Sequence, residues 1–276
     1  MIPGDRQRRT QAIAPPALRL GPGYLDRYRG GFRTTISILA GLLVWEAVGR
    51  FLVTDRLFLV PFTTVLAALG RMIHDGHLER DLYVSGIEFG VGFALASAVG
   101  IVLGILMGSS RWLRDYLDPW VSILYATPLV ALTPFFILIL GIGWVSKAAL
   151  VFTLSVFPVL INTATGVRSV DEHHLEVAHS FNASPRQIFV KVLVPSSLPF
   201  IISGLRLASG RALIAVVVGE LLFSSAGVGH LLSLATQTFN TGQLFAGVLI
   251  FACAGIVITG LLKRLEAGTA PWRAAP

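Results

Sequence analysis

Long apolar runs separated by short polar segments organise almost the whole chain. A helix needs about 20 predominantly apolar residues to cross the hydrocarbon core of a bilayer. Six runs of suitable length and character are present, near residues 34–53, 85–108, 117–141, 147–167, 200–223 and 244–262. The pattern therefore predicts an all-α membrane protein with about six transmembrane helices.

Two of the apolar regions depart from a plain spanning pattern. Residues 61–76 are apolar until Arg71 and His74 interrupt them, which favours an amphipathic helix that is interfacial or partly re-entrant. Pro128 and Pro134 both fall inside the third run. Each proline removes a backbone donor and disfavours a straight helix, so this run either forms part of a translocation pathway or is an ordinary proline-kinked helix.

The polar segment 168–199 predicts two short helices joined by a tight bend. Asp171 and Glu172 place acidic charge at the start of the first helix, and Asn182 suits the left-handed residue that ends it. Apolar residues recur between them at helical spacing, at Leu175, Val177, Ala178 and Phe181.

The second short helix starts with Ser184 as its N-cap and Pro185 in its first turn. We expect Pro195 to stop it and Pro199 to fix the exit into the fifth span. Such an element would transmit the motion of a soluble partner to the membrane helices. The alternative is an ordinary structured loop.

Charge and composition support this topology. The 276 residues are 54% hydrophobic and 13% charged, whereas soluble domains carry roughly a quarter charged residues. If the N-terminus is cytoplasmic, the inside segments hold fifteen Lys and Arg residues and the outside segments four, with Arg50 near the end of the first span. The positive-inside rule selects that orientation and places both termini in the cytoplasm. The net charge of +7 therefore does not indicate nucleic-acid binding.

The two ends of the chain are predicted to lie outside the spans. Residues 1–33 are rich in Arg, Pro and Gly and predict a disordered basic cytoplasmic tail. The apolar run that follows is too long for a cleavable signal peptide and predicts a signal anchor. Residues 263–276 form the expected cytoplasmic C-terminal tail.

Ionisable residues at bilayer depth are costly and are therefore functional candidates. They are Glu88, Arg206, Arg211 and Glu220. Arg211 lies about 16 Å past Phe200 along an ideal helix, close to the midplane. It either contacts an anionic substrate or forms an internal pair with Glu88 or another carboxylate. Arg206 is shallower, and we expect it to snorkel toward the cytoplasmic interface.

Catalytic and metal chemistry have little support. His173 and His174 are adjacent and cannot share one helix face, and Cys253 has no partner cysteine. The lysines are Lys147, Lys191 and Lys263, and none follows the glycine frame of a P-loop. Because no catalytic constellation is present, we expect neither an enzyme nor a cofactor or metal site in this chain.

The segment 168–199 also resembles a known motif. Its spacing matches the EAA loop of binding-protein-dependent ABC transporter permeases at Glu176, Val177, Ala178, Asn182, Leu193, Val194 and Pro195. Val177 stands in the first alanine position and Asn182 replaces the glycine, while asparagine preserves the left-handed turn. Leu193 and Val194 stand where the motif has isoleucine and leucine, so the match is less exact but the apolar character is kept. Over residues 34–262 the chain resembles the nitrate, sulfonate, taurine and bicarbonate branch of these permeases.

The resemblance implies a permease domain at 34–262, in the inner membrane, for a binding-protein-dependent importer. Its partners would be a second permease copy, two ATPase subunits that bind ATP and Mg, and an extracytoplasmic solute-binding protein. The loop 168–199 would be the coupling helix region that docks on the ATPase, through Glu176, Val177, Ala178, Asn182, Ser184, Pro185, Leu193 and Pro195.

The expected translocation path comprises Arg211, Glu88, Pro128 and Pro134, and the expected cargo is a small anion such as a sulfonate, taurine or nitrate. A thiamine-precursor-like solute remains an alternative cargo. A secondary transporter and a membrane-embedded enzyme remain alternative functions, although the chain shows no convincing internal repeat and no catalytic site.

Overall fold

The computed structural model describes residues 24–53, 55, 57–76 and 78–269. Five helices are long and apolar enough to cross a membrane. Two shorter segments, Arg111–Ala126 and Leu129–Leu140, make a sixth crossing when they are counted as one bent span. The described residues contain helices and no strand, which confirms the predicted all-α fold.

The helices follow one another with short connections. They are α1 Tyr24–Ala47, α2 Phe62–His74, α3 Leu78–Ser109, α4 Arg111–Ala126, α5 Thr133–Leu140, α6 Trp144–Arg168, α7 Glu172–Ser180, α8 Pro185–Ile188, α9 Val194–Phe223, α10 Val228–Gln237 and α11 Thr241–Thr269. Single π-helical turns extend α1 at Val48–Leu52 and join α8 to α9 at Phe189–Leu193.

The first and last helices extend further than the apolar pattern predicts. Helix α1 begins at Tyr24, so residues 24–33 of the predicted tail are helical, and residues 1–23 lie outside the described part of the chain. Helix α11 runs to Thr269, and residues 270–276 lie outside it. These helices pass the predicted domain boundaries at 33 and 263 because a formed helix gains a hydrogen bond with each added residue and does not end where the apolar run ends.

Helix α6 is the centre of the bundle, with α3 and α9 packed against it. In its most apolar window 67% of the residues are buried, against 22% for α3 and 33% for the span that contains α9. The main hydrophobic core accordingly runs along α6, where Leu150, Val151 and Leu160 are each at most 4% exposed.

The close approach of α3 to α6 depends on glycines at every fourth or eighth position of α3. A Cβ atom added at Gly104 would lie 2.6 Å from the Cβ of Thr163 and 2.7 Å from the carbonyl oxygen of Leu160. Small residues at such spacing let helix backbones approach in membranes, where close packing drives helix association.

We expect Gly104→Ala to destabilise the protein by about 1–3 kcal/mol, because the added methyl group overpacks a contact that includes backbone. Thermal unfolding of the purified protein in detergent measures the effect. Gly90→Ala is the matched control, because no atom lies within 4 Å of an added Cβ there. Equal unfolding temperatures for the two variants would contradict this account of the α3–α6 contact.

The third span is sharply bent, as its prolines suggest. Helix α4 ends at Ala126, a 3-10 turn covers Leu129–Leu132, and α5 leaves at 81° to α4. The two prolines act differently. Pro128 lies at the break, whereas Pro134 occupies the first turn of α5, where no intrahelical donor is lost.

Pro195 does not stop the second short helix as expected. The helical path continues from Pro185 to Phe223 over 39 residues. Pro195 falls in the first turn of α9, directly after the π-helical turn Phe189–Leu193. A wider turn accommodates the proline ring and the missing donor, so the helix bulges locally and does not end.

Helix α2 is amphipathic, as predicted, and its apolar face packs on the bundle. Val65, Ala68 and Met72 are buried at helical spacing, in a second core cluster that includes Ala246 of α11. Helix α1 packs little against the other helices, because only 6% of the residues in the most apolar part of this span are buried.

Candidate functional site

The first short helix of the polar segment forms as its sequence indicates. Asp171 is the N-cap of α7, and its Oδ1 accepts a hydrogen bond from the backbone N–H of His173 at 2.9 Å. After α7 the chain turns at Asn182, which has a φ of +53°. The left-handed conformation expected for Asn182 is therefore confirmed.

The second short helix starts with a reciprocal capping box. The Ser184 hydroxyl oxygen accepts from the backbone N–H of Gln187 at 3.3 Å, and the Gln187 Oε1 accepts from the backbone N–H of Ser184 at 2.8 Å. Pro185 occupies the first turn. Because α8 then continues into α9, the loop is rigidly connected to a membrane-spanning helix.

The surface of α7 presents both charge and apolar area to the outside of the chain. Val177 is 56% exposed and Phe181, one turn later, is 83% exposed. The Glu176 carboxylate lies 3.5 Å from the His173 Nδ1, and both side chains are largely exposed. An exposed phenylalanine beside a valine at i, i+4 spacing is an unpartnered apolar face on a polar helix.

The loop is joined to the bundle by a tight contact between α6 and α9. A Cβ atom added at Gly166 would lie 2.5 Å from the Cβ of Phe200, and one at Gly204 would lie 2.9 Å from the Cβ of Asn162. Backbones this close leave little room for sliding. Displacement of α8 is therefore passed to α6 as well as to α9.

Arg211 lies on α9, two helical turns after Gly204. Its neighbours Ala208, Ala212 and Ala215 are fully buried, whereas Arg211 is exposed. Among the described residues, none forms an ion pair with it. The predicted alternative of an internal pair with Glu88 is wrong, because Glu88 is paired elsewhere.

Arg206 pairs with Glu266 of α11, a partner that the expected snorkelling toward the interface did not include. Both side chains are about one third exposed. The partner was outside the predicted sixth span, and the extension of α11 beyond the apolar run brings Glu266 level with Arg206.

Glu88 belongs to a buried ion pair inside the bundle. The Lys147 Nζ of α6 donates to the Glu88 Oε1 at 3.0 Å and to the Ser224 hydroxyl at 2.6 Å. Glu88 is 0% exposed and Lys147 is 5% exposed. Glu88 therefore does not line an open path in this chain, in contrast to its expected place in the translocation path.

A second set of buried polar groups holds the N-terminus of α10. Three successive backbone N–H groups donate to side chains of α3 and α9: Gly227 to the Asp81 Oδ1 at 2.7 Å, Val228 to the Ser85 hydroxyl at 3.0 Å, and Gly229 to the Glu220 Oε2 at 2.6 Å. The first N–H groups of a helix lack intrahelical partners, and carboxylates there are stabilising.

The two sets form one polar cluster, which we define as Asp81, Ser85, Glu88, Lys147, Glu220 and Ser224. The Ser85 hydroxyl donates to the Glu220 Oε1 at 2.6 Å and connects α3 to α9. The sequence did not reveal the role of Lys147, because this residue was expected in an outside loop. Two signals could have indicated the cluster: a lysine within an apolar helix needs a partner, and glycines follow Glu220 closely along the chain.

No group of three or more His, Cys, Asp or Glu side chains among the described residues is placed to hold a metal ion. The acidic groups of the polar cluster are already bonded to Lys147, Ser85 and backbone N–H groups. The geometry suits transmission of motion from the loop to the bundle.

Similarity to known sequences indicates the protein family. Residues 100–270 match the family described as "Binding-protein-dependent transport system inner membrane component". The match covers more than half of the chain and includes the last part of α3, the whole bent third span, the polar loop, and spans four to six.

Individual relatives extend the similarity over nearly the full chain. SsuC of Bacillus subtilis (strain 168), named as an aliphatic sulfonates transport permease protein, is 36% identical over 258 residues, 93% of this chain and 92% of its own. ThiX of Halalkalibacterium halodurans, a formylaminopyrimidine transport permease protein, is 30% identical over 87% of this chain and 95% of its own. An inward-facing structure of the MetNI methionine ABC transporter has a TM-score of 0.61 at 16% identity, over 68% of this chain and 94% of the other.

Proposed function

The chain belongs to the family of binding-protein-dependent transport system inner membrane components, and from this premise we propose that it carries a small organic or inorganic anion across the membrane. It is the membrane-spanning permease subunit of an ABC importer and not an enzyme. Importers of this family work with an ATPase and a solute-binding protein. The observation that carries the anion proposal is the exposed, unpaired Arg211 on a spanning helix.

The ATPase docks on the loop 168–199 in this proposal. Glu176, Val177 and Phe181 on α7 form the contact surface, because they are exposed and combine an acidic group with an apolar face. Asn182, Ser184 and Pro185 set the bend between α7 and α8. The remaining residues of the motif, Ala178, Leu193 and Pro195, support the packing and the continuous path into α9.

A second permease copy covers the exposed face of α9. A guanidinium group that faced lipid at this depth would be strongly unfavourable, so Arg211 requires protein or water beside it. Two copies that meet along α9 supply both, with Arg211 of each copy on a shared path. Pro128 and Pro134 bend the third span beside that path. A homodimer of this kind pairs with two ATPase subunits, one for each loop.

Both chain termini lie in the cytoplasm in this proposal, with the permease domain at 34–262. The support is the positive-inside distribution of Lys and Arg, which has fifteen basic residues on the loop side and three on the other, since Lys147 is buried in the bundle. The solute-binding protein then delivers its cargo at the opposite face, on the side of α2 and the α10–α11 turn.

The cargo is a small anion, with an aliphatic sulfonate as the leading example. The relative at 36% identity is named for sulfonate transport, and a positive side chain at the centre of α9 complements a sulfonate group. A formylaminopyrimidine is the second candidate, favoured by the match to ThiX. Uptake into proteoliposomes that contain the permease, its ATPase and its binding protein, with each solute in turn, distinguishes the two.

We expect Arg211→Gln to lower uptake of a sulfonate by about 10- to 100-fold, because a hydrogen bond to a charged group is worth about 1.5–3 kcal/mol. The unfolding temperature of the variant should stay at the wild-type value, since Arg211 has no partner among the described residues to lose. Arg211→Lys should recover part of the uptake through its charge.

Arg264→Gln is the matched control, since Arg264 is exposed near the end of α11 and its charge lies outside the apolar part of the spans. Unchanged sulfonate uptake by Arg211→Gln, at unchanged stability, would remove Arg211 from the path. The importer function itself would stand in that case, because it is measured by ATP-dependent uptake in the wild-type protein.

A further inference from the structure

The polar cluster contains more acid than base in a buried site. Asp81 is 7% exposed and Glu88 and Glu220 are 0% exposed, whereas Lys147 is the one base of the cluster. Two of the three carboxyl groups belong to different helices and meet at the same lysine. If all three were ionised, the cluster would hold a net charge of −2 in a medium where charge is costly.

The hydrogen bonds distinguish the states of the two glutamates. Both oxygens of Glu220 accept hydrogen bonds, Oε1 from the Ser85 hydroxyl and Oε2 from the backbone N–H of Gly229. Both oxygens of Glu220 therefore act as acceptors, as those of an ionised carboxylate do, and neither is left without a partner. In Glu88 the Oε1 accepts from Lys147, but the Oε2 is buried and has no partner among the described residues.

The carboxyl group of Glu88 lies beside the carboxyl group of Glu220. The side chains of Glu88 and Glu220 are within hydrogen-bonding reach of each other. Two carboxylates cannot hydrogen-bond, because both are acceptors, and their like charges repel. A single proton between them turns the repulsion into a hydrogen bond and satisfies the buried oxygen.

We propose that the Glu88 Oε2 carries one proton and donates a hydrogen bond through it to Glu220. The polar cluster then holds a structural proton. Ionised Glu220 then holds Gly229, and neutral Glu88 remains an acceptor for Lys147. The proton stays in the site during transport. It keeps the N-terminus of α10 and the segment 224–227 attached to α3, α6 and α9.

Loss of this proton would place a second negative charge beside Glu220 and separate α3 from α9. The charged groups that face Glu88 are Lys147 from α6 and Glu220 from α9, and Asp81 lies two turns away on α3. Helix α10 contributes backbone N–H groups and the half-buried His230. We therefore expect removal of the proton to destabilise the contact between α3 and α9.

Two isosteric substitutions distinguish the roles of Glu88 and Glu220. In Glu88→Gln the amide oxygen accepts from Lys147 and the amide N–H₂ donates to Glu220, which reproduces the protonated acid. In Glu220→Gln an N–H₂ group must face either the Gly229 N–H or the Ser85 hydroxyl, so one acceptor is lost. We expect Glu88→Gln to unfold at the wild-type temperature at neutral pH. Glu220→Gln should unfold about 2–10 °C lower, the cost of one unsatisfied buried donor.

Infrared spectroscopy of the purified protein detects the proton directly. We expect a C=O band of a buried protonated carboxyl group that shifts in D₂O, is present in wild type and in Glu46→Gln, and is absent in Glu88→Gln.

Absence of the band from wild type, or its persistence in Glu88→Gln, overturns the proposal and indicates a buried water at the Glu88 Oε2. A larger loss of stability in Glu88→Gln than in Glu220→Gln also overturns it. The spectrum and the unfolding temperature do not depend on the cargo. If they agree with the proposal while no solute is taken up, the transport assignment fails and the proton site stands.

Discussion

Glu176→Lys should abolish uptake while the assembled transporter still hydrolyses ATP and the chain still inserts and folds. The Glu176 side chain is 74% exposed on α7 and its one ion-pair partner among the described residues is His173, so the fold loses little. A lysine reverses the charge at the centre of the surface that we assign to the ATPase. The measurement is ATP hydrolysis and solute uptake by the same proteoliposomes, expressed as solute transported for each ATP.

Asp115→Lys is the matched control, because it makes the same reversal on a carboxylate that is 64% exposed on α4, outside the loop. Deletion of residues 182–185 removes the bend and should uncouple in the same way. Normal solute transport for each ATP in either the Glu176 variant or the deletion would mean that the loop does not carry the coupling.

Two glycines in the π-helical turn, Val190→Gly with Lys191→Gly, should also uncouple hydrolysis from uptake, with the ATPase still bound. Both residues are exposed, so no core contact is lost. Each glycine costs a helix about 1 kcal/mol, which together favours local opening of the connection between α8 and α9 by about 2 kcal/mol. Motion of the loop would then bend the turn and would not rotate α9.

The comparison variant carries the same two glycines at Ile256 and Val257, which are 72% and 59% exposed on α11 and are remote from the loop. Co-purification of the ATPase with both variants checks assembly. Uptake should fall in the first variant alone. An equal fall in both would attribute the effect to general loss of helix stability, and the rigid connection would have no special part.

The two variants test different parts of one chain of contacts. Glu176→Lys alters the surface that meets the partner, and the glycines alter the element that transmits its motion. Helix α9 continues from that element to the tight contacts at Gly166 and Gly204, and it carries Arg211 two turns beyond Gly204. A rotation of α9 would therefore move Arg211 relative to a second copy, which connects ATP use to the path of the anion.

Local hydrogen bonding explains why the sequence alone predicted the loop so well. The caps at Asp171 and Ser184 and the left-handed turn at Asn182 join atoms two or three residues apart, so residue type and spacing determine them. The spans were predictable for a related reason. Backbone groups in lipid must bond within their own segment, so a long apolar run has to be a helix.

Proline effects were predicted less well, because they depend on where the residue falls within the helix. Pro128 breaks the third span, whereas Pro134 and Pro195 lie in first turns and are tolerated. A preceding π-helical turn made the position of Pro195 favourable. Neighbouring packing stabilises that turn, and the local sequence does not reveal it.

The sequence by itself determined the membrane class, the number of spans, the bent loop and the resemblance to importer permeases. Only the tertiary structure decided which charges meet: Glu88 pairs with Lys147, 59 positions away, and Ser85 bonds Glu220, 135 positions away. These partners depend on how the helices are rotated and shifted against one another, which the glycines of α3 and the packing of α6 establish. A pattern along one chain does not contain that rotation, so the polar cluster and the proton assigned to it became visible only in the folded protein.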